Sequence, residues 1–442
     1  ISTRDWSSDV CSSDLAAHAL RPGDWALAAV FLLLCGAVFS RRAWLRPVLA
    51  LVLALGCVVW AGSGAEFLRL RLALGQPWLR LALILGGVLA LTALSSALLL
   101  TPRARAWFCK VSDQDAARAW AFALTAGLLI LARQLSPLPV LLADRFVPGS
   151  GVLEILGLAW YASLACGLLV AARDTAKLRL RLWLLFSLAF FGQLALGLVL
   201  DERFLMTGRL HLPVPALIAA GPLFRGEGFF MPILFTASAL VLGPAWCSWL
   251  CYVGAWDGAC AATAKATAGE RLAASARIRR FTAWGRGATL VLACAAALGL
   301  RAAGVPGYEA VWLAALFGLA GVGIMVILSR RAGIMVHCAT FCPMGLVANV
   351  LGRLNPLRLR LGQDCTRCGA CALRCRYAAL LPGDIEQGRP GLSCTLCGDC
   401  LGACGHGCLG YRLPGLSPAA ARTVFLVLAV SLHAVFLGVA RI

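Results

Sequence analysis

Charge is scarce in this 442-residue chain, where 14% of residues are charged and 61% are apolar. A water-soluble domain carries about 25% charged and roughly 45–50% apolar residues, so too little polar surface is present to face water on every side. Lysine is almost missing. Only Lys110, Lys177 and Lys265 stand among 40 basic residues, and the arginines that make up the rest lie dispersed between apolar runs. A nucleic-acid partner is excluded on that ground, because its footprint would be one gathered basic face. No catalytic triad, phosphate-binding loop or paired-carboxylate motif occurs, so any chemistry must come from a bound cofactor. What is abundant is apolar length, with a mean hydropathy of +0.84, and cysteine, at 20 residues.

Residues 1–15 (ISTRDWSSDVCSSDL) lack the apolar core and cleavage site of a signal peptide and resemble a translated sequencing adaptor. They are expected to add nothing to fold or function, Cys11 included. Beyond them, apolar runs recur near 25–40, 47–62, 81–100, 119–132, 152–172, 182–200, 229–246, 287–300, 309–328 and 423–440. Most are long enough to cross a bilayer core of roughly 30 Å. The loops between them alternate in basic content, the richest being the run Lys265, Arg271, Arg277, Arg279, Arg280 and Arg286 between the seventh and eighth runs. Basic loops stay on the cytoplasmic side, which puts this loop inside and both termini outside. The expected architecture is an all-α polytopic membrane protein of about ten spans. A six-helix region over 16–204 precedes a membrane region over 205–350, a cytoplasmic insertion over 351–420 and a last helix over 421–442.

Residues 329–420 hold eleven of the cysteines and no spanning run. Cytoplasmic thiols are kept reduced, so cysteine at this density reads as metal or redox chemistry rather than disulfides. Cys365-x2-Cys368-x2-Cys371-x3-Cys375 is followed by Cys394-x2-Cys397-x2-Cys400-x3-Cys404. Two such runs are the mark of a bacterial-type two-cluster ferredoxin, in which three close thiolates wrap one cube and the fourth ligand comes from the other run. Cys365, Cys368, Cys371 and Cys404 are therefore assigned to one [4Fe-4S] cluster, and Cys394, Cys397, Cys400 and Cys375 to the second. Structural zinc would use two separated CxxC pairs per ion and has no need of the further cysteines. Arg376 and Gly405 stand where proline usually follows each fourth cysteine, which keeps Cys408 open as a substitute for Cys404. Arg367, Arg374 and Arg376 flank the ligands, either as cations favouring the reduced cluster or as solvated charge.

Two further pairs, Cys247-Ser-Trp-Leu-Cys251-Tyr252 and Cys338-Ala-Thr-Phe-Cys342-Pro343, fall at the same membrane face in this topology. The i, i+4 spacing places both thiols of a pair on one side of a helical turn. Together they are candidates for a four-thiolate metal site or a dithiol relay, against the alternative of small core residues.

The stretches GPLFRGEGFFMPILF, GPAWCSWLCYVGAWDG and HCATFCPMG, the twin cysteine runs and the closing LHAVFLGVARI resemble the NosR/NapH-type membrane polyferredoxins over roughly 205–442. The resemblance implies two [4Fe-4S] clusters in a cytoplasmic domain, and electron transfer between a quinol or cytoplasmic donor and a respiratory reductase system in the bacterial inner membrane. It also implies that Cys247, Cys251, Cys338 and Cys342 are the family's CxxxCP cysteines, with Tyr252 departing from proline. The outward loop 201–228 is too short for the flavin domain of larger members, so covalent FMN is not expected. A second function class is an accessory protein that senses redox state or reduces or delivers a metal for enzyme maturation. A transporter is disfavoured because no run carries mid-span charges or paired helix breaks.

Three minor features complete the reading. Asp201, Glu202, Arg203 and His211 at the end of the sixth span are either a quinol-side proton site or ordinary interfacial polarity. His433, inside the last span, is expected to face the bundle and hydrogen-bond there. Trp246 and Trp249 are expected to anchor the membrane interface.

Overall fold

A computed structural model describes residues 45–108, 113–136, 138–205 and 212–439. The first expected span, residues 1–15 and His211 lie outside the described residues. The chain forms two compact units, Ile1–Leu131 and Ala132–Ile442. In the first, α1 (Leu45–Ala73) and α2 (Leu79–Leu99) run antiparallel. Ser96 Oγ donates to the Ala50 carbonyl at 2.9 Å, and Leu45, Leu49 and Phe108 form a small buried cluster. None of the α2 residues is buried. A largely apolar helix that leaves none of its residues fully covered is at home in lipid and costly in water. Helix α3 (Asp113–Leu135) crosses the division between the units.

The second unit holds α4 (Gly151–Ala171), α5 (Ala176–Val199), α6 (Phe230–Leu242), α7 (Trp246–Trp249), α8 (Tyr252–Ala262), α9 (Ala268–Ala302), α10 (Gly307–Gly323), α11 (Pro343–Leu351) and α12 (Pro418–Val439). Nine segments among the described residues are long and apolar enough to cross a membrane, and each coincides with an expected run. The last helix packs on α4, where Arg422 donates to the carbonyls of Leu169, Val170 and Ala172. Those carbonyls end α4 without intrahelical partners, and a guanidinium there also offsets the negative end of the helix dipole.

Three expectations need correction. The basic run from Arg271 to Arg286 is not a loop but the first half of α9, a 35-residue helix opened by a Thr267–Glu270 capping box. Breaks do occur: α6 stops at Gly243-Pro244, and α10 continues as a π-helical turn over Ile324–Ser329. Trp246 and Trp249 are not interface anchors. Both are buried, against Phe235 and Phe425 respectively.

Residues 351–420 fold around one antiparallel ribbon, β1 (Arg358–Leu361) with β2 (Leu409–Arg412). Leu359 pairs with Tyr411 on the buried face while Arg358 pairs with Arg412 on the other, as strand alternation requires. The ribbon joins the two ends of the segment that carries both cysteine runs.

Candidate functional site: three sets of cysteines

The two ferredoxin-type runs adopt the same backbone path. Arg367 and Leu396, each just before the second cysteine of its run, have positive φ (56° and 52°), as do Gly369 and Gly398 just after it (78° and 80°). Three residues past the fourth cysteine, Ala378 and Gly407 are left-handed as well (51° and 66°). Alternating handedness curls a short chain so that successive N–H groups point inward, a cradle suited to an anion. A non-glycine residue at positive φ is uncommon, and strain of this kind persists only where surrounding structure enforces it. Gly398 leaves no room for a side chain, since an added Cβ would stand 2.7 Å from Tyr411 Oη, which donates to the Leu396 carbonyl at 2.7 Å.

Each path encloses a cavity. The first is lined by Cys365, Cys368, Cys371 and Cys404, with Cys408 and His406 at its wall. The second is lined by Cys375, Cys394, Cys397 and Cys400, with Tyr377 and Asp399. The matching linings and the three-plus-one exchange of cysteines between runs suit two occupants of one kind. Arg367 also lines the first cavity, whereas Arg374 pairs with Asp174 at 2.6 Å.

Electrostatics separate Cys404 from Cys408. Burial acts to raise the Cys404 thiol, but the N–H groups of Leu409, Cys408, His406 and Gly407 together outweigh it and lower it. Cys408, raised by desolvation and by neighbouring Cys404 and Cys365, instead turns its Sγ to the Asp364 carbonyl at 3.2 Å. In the second set burial dominates. Cys394 is pushed up to about 12 despite the Leu396 N–H, and Cys400 is raised well above the usual thiol value by burial and its neighbours Cys397, Cys375 and Cys394. Thiols so placed stay protonated unless a metal takes the proton's place.

The two C-x3-C pairs form a third set. Cys247 lies within α7 and Cys251 two residues past its end, while Cys338 lies within a π-helical turn over His337–Phe341 and Cys342 directly follows it, a feature frequent at functional sites. In each pair the second cysteine is extended and caps the next helix: Cys251 for α8, accepting from Gly254 N–H at 3.4 Å, and Cys342 for α11. Three residues on, Gly254 and Gly345 admit the carbonyl of the first cysteine, which an added Cβ would meet at 3.1 and 3.3 Å. Pro343 takes the first helical position of α11, where an N–H would be unsatisfied anyway, so Tyr252 serves equally at that place in α8. Its ring stacks on Phe190 at 3.9 Å. All four thiols are buried and interact electrostatically with one another.

Residues outside the motifs lock these sets together. Arg179 of α5 binds Asp399 through two bonds of 2.9 and 2.7 Å and reaches the Ser248 carbonyl at 2.9 Å, joining the second cavity to the Cys247–Cys251 loop. Ser248 Oγ donates to the Thr395 carbonyl, and Trp183 Nε1 to the Cys251 carbonyl at 2.8 Å. Asp257 accepts from Cys338 N–H at 2.9 Å, and burial raises its carboxyl to about 6. Tyr377 lines the second cavity and shares a buried cluster with Cys338 and Trp183. His433 is buried, with Nδ1 3.0 Å from the Trp249 carbonyl and Nε2 3.0 Å from Tyr161 Oη. The carbonyl can only accept, so Nδ1 carries the proton and Nε2 accepts from the tyrosine. At the other end of α5, Asp201 is held by Arg203 at 2.6 Å. No sequence spacing marks Arg179, Trp183, Asp257, Tyr377 or Asp399. A lone aspartate between Cys397 and Cys400 was the one available hint.

Comparison with known proteins adds one finding. Residues 224–257 and 314–362 match the family described as a 4Fe-4S binding domain. The matched segments contain Cys247, Cys251, Cys338 and Cys342 and end before Cys365. No curated protein and no solved structure matches the chain significantly. The chain thus carries a 4Fe-4S binding domain within a helical scaffold suited to a membrane.

Proposed function

We propose that this protein is a membrane-bound iron-sulfur electron carrier in which two [4Fe-4S] clusters sit in the mirrored cavities, the first on Cys365, Cys368, Cys371 and Cys404 and the second on Cys394, Cys397, Cys400 and Cys375. The observation that carries the reading is the repeated left-handed backbone around two cavities, each collecting three cysteines of one run and the fourth of the other. Cys247, Cys251, Cys338 and Cys342 are read as a third thiolate centre of the same kind, on which the family match falls.

A cluster bound in each cavity would supply one-electron chemistry. The chain's part is to hold, orient and insulate. Cys368 is exposed while Cys400 and the four C-x3-C thiols are buried, so the first set faces a partner and the others lead inward through Tyr377. On the positive-inside argument the first set lies in the cytoplasm, in a bacterial inner membrane. The donor is a quinol or a cytoplasmic reductant, and the acceptor a respiratory reductase system, as the NosR/NapH resemblance implies. Anaerobic purification with iron and sulfide analysis and EPR tests this, with about eight irons expected from the two ferredoxin sets. Stoichiometric zinc without iron would refute it. Copper bound at the C-x3-C set with no quinol-dependent reduction would favour a maturation role instead.

A further inference from the structure

Arg286 lies near the middle of α9 and is 1% exposed, yet among the described residues no carboxylate pairs with it. The other fully buried guanidinium differs: Arg179 is closed by Asp399. Arg286 Nη1 donates to Asn349 Oδ1 at 2.7 Å, and its Nε has no partner. An unpaired buried charge is strongly destabilising. Cys247, Cys342, Cys338, the Tyr377 hydroxyl and His337 interact with it electrostatically, and its guanidinium carbon comes within 3.5 Å of where a Cβ at Gly345 would stand. Four neutral thiols offer this cation no charge. Four thiolates around a metal centre do, and the sum is anionic for any common thiolate-bound metal.

We propose that Arg286 is the fixed counter-charge of an anionic four-thiolate centre on Cys247, Cys251, Cys338 and Cys342, and so a positioning residue that sets the potential of that centre. The proposal rests on reading those cysteines as a metal centre. Asn349 extends the argument, because its Nδ2 donates to the carbonyl of Cys394 at 3.0 Å. One side chain thus holds Arg286 against the third set while bonded to a ligand of the second. Were both centres loaded, an electron passed from the second to the third would oxidise the donor by one electron and add one negative charge beside Arg286. A cation already in place favours that reduced state and makes proton uptake unnecessary.

The test uses the full chain, purified anaerobically in detergent and titrated under EPR, with Cys338→Ser, Arg286→Gln, Arg286→Lys and Asn349→Leu variants. Cys338→Ser is expected to remove one signal and about four irons. Arg286→Gln should shift that same signal to lower potential, or lose it alone, while the two ferredoxin signals stay put and report a folded protein. Arg286→Lys should restore most of the shift. If Arg286→Gln does not fold, Asn349→Leu, which frees the guanidinium, should still lower that potential. Full iron in Cys338→Ser overturns the underlying reading. Loss of iron there, with the signal unmoved in Arg286→Gln or Asn349→Leu, overturns the counter-charge and leaves the reading standing.

Discussion

Cys404 and Cys408 are four residues apart and line the same cavity, but only Cys404 sits among inward N–H donors. In protein stripped of metal, Cys404 should therefore be alkylated at pH below the ordinary thiol range, while Cys394 stays unmodified there. Peptide mass mapping after brief iodoacetamide treatment reads this out, and equal labelling would contradict it. The sign for stability follows: a thiol lowered on folding contributes stability above its unfolded value and loses it as pH falls through the folded one. Cys404→Ser should cost the first cluster's iron, and Cys408→Ser should not. A second residue-scale prediction concerns Asp399. Asp399→Asn leaves Arg179 charged, buried and unneutralised, a loss on the order of 3–5 kcal/mol. Thermal denaturation should show it, with iron lost first from the second set.

At the scale of elements, the break after α6 decides where the Cys247–Cys251 loop lies. Gly243 has φ 66° and ψ −152°, a region essentially restricted to glycine, and Asn355 and Leu396 close around it at 3.6 Å. Gly243→Ala should destabilise by about 1–3 kcal/mol and weaken iron retention at the third set, measured by denaturant titration against iron release. Much of this level was legible in the sequence. The apolar runs gave every described span its place, because length and hydropathy suffice for a helix that must satisfy its backbone inside lipid. The basic first half of α9 was not legible, since arginine is a good helix former and charge density reads as loop only by association. The capping pair Thr267 and Glu270 did mark its start.

For the whole molecule, the charge asymmetry predicts that the ribbon and both cysteine runs face the cytoplasm. Alkaline phosphatase fused at Gly415 should be inactive and a fluorescent protein there bright, and the reverse would invert the topology. Removing iron with a chelator under reducing conditions should loosen residues 358–412 before the spans, because the cradles are left with strained backbone and buried thiols. Hydrogen exchange followed over that segment reads the difference.

The sequence by itself determined the membrane scaffold and which cysteines are candidates for a cluster, because ligand spacing and apolar length are local properties. Only the tertiary structure decided that the two C-x3-C pairs come within electrostatic reach of one another, that Cys404 rather than Cys408 sits among the donors, and that Arg179, Tyr377, Asn349 and Arg286 tie the sets together. These partners lie up to 220 residues apart. Burial and close packing bring them together, and no periodicity along a chain encodes which distant side chains will share a dry interior.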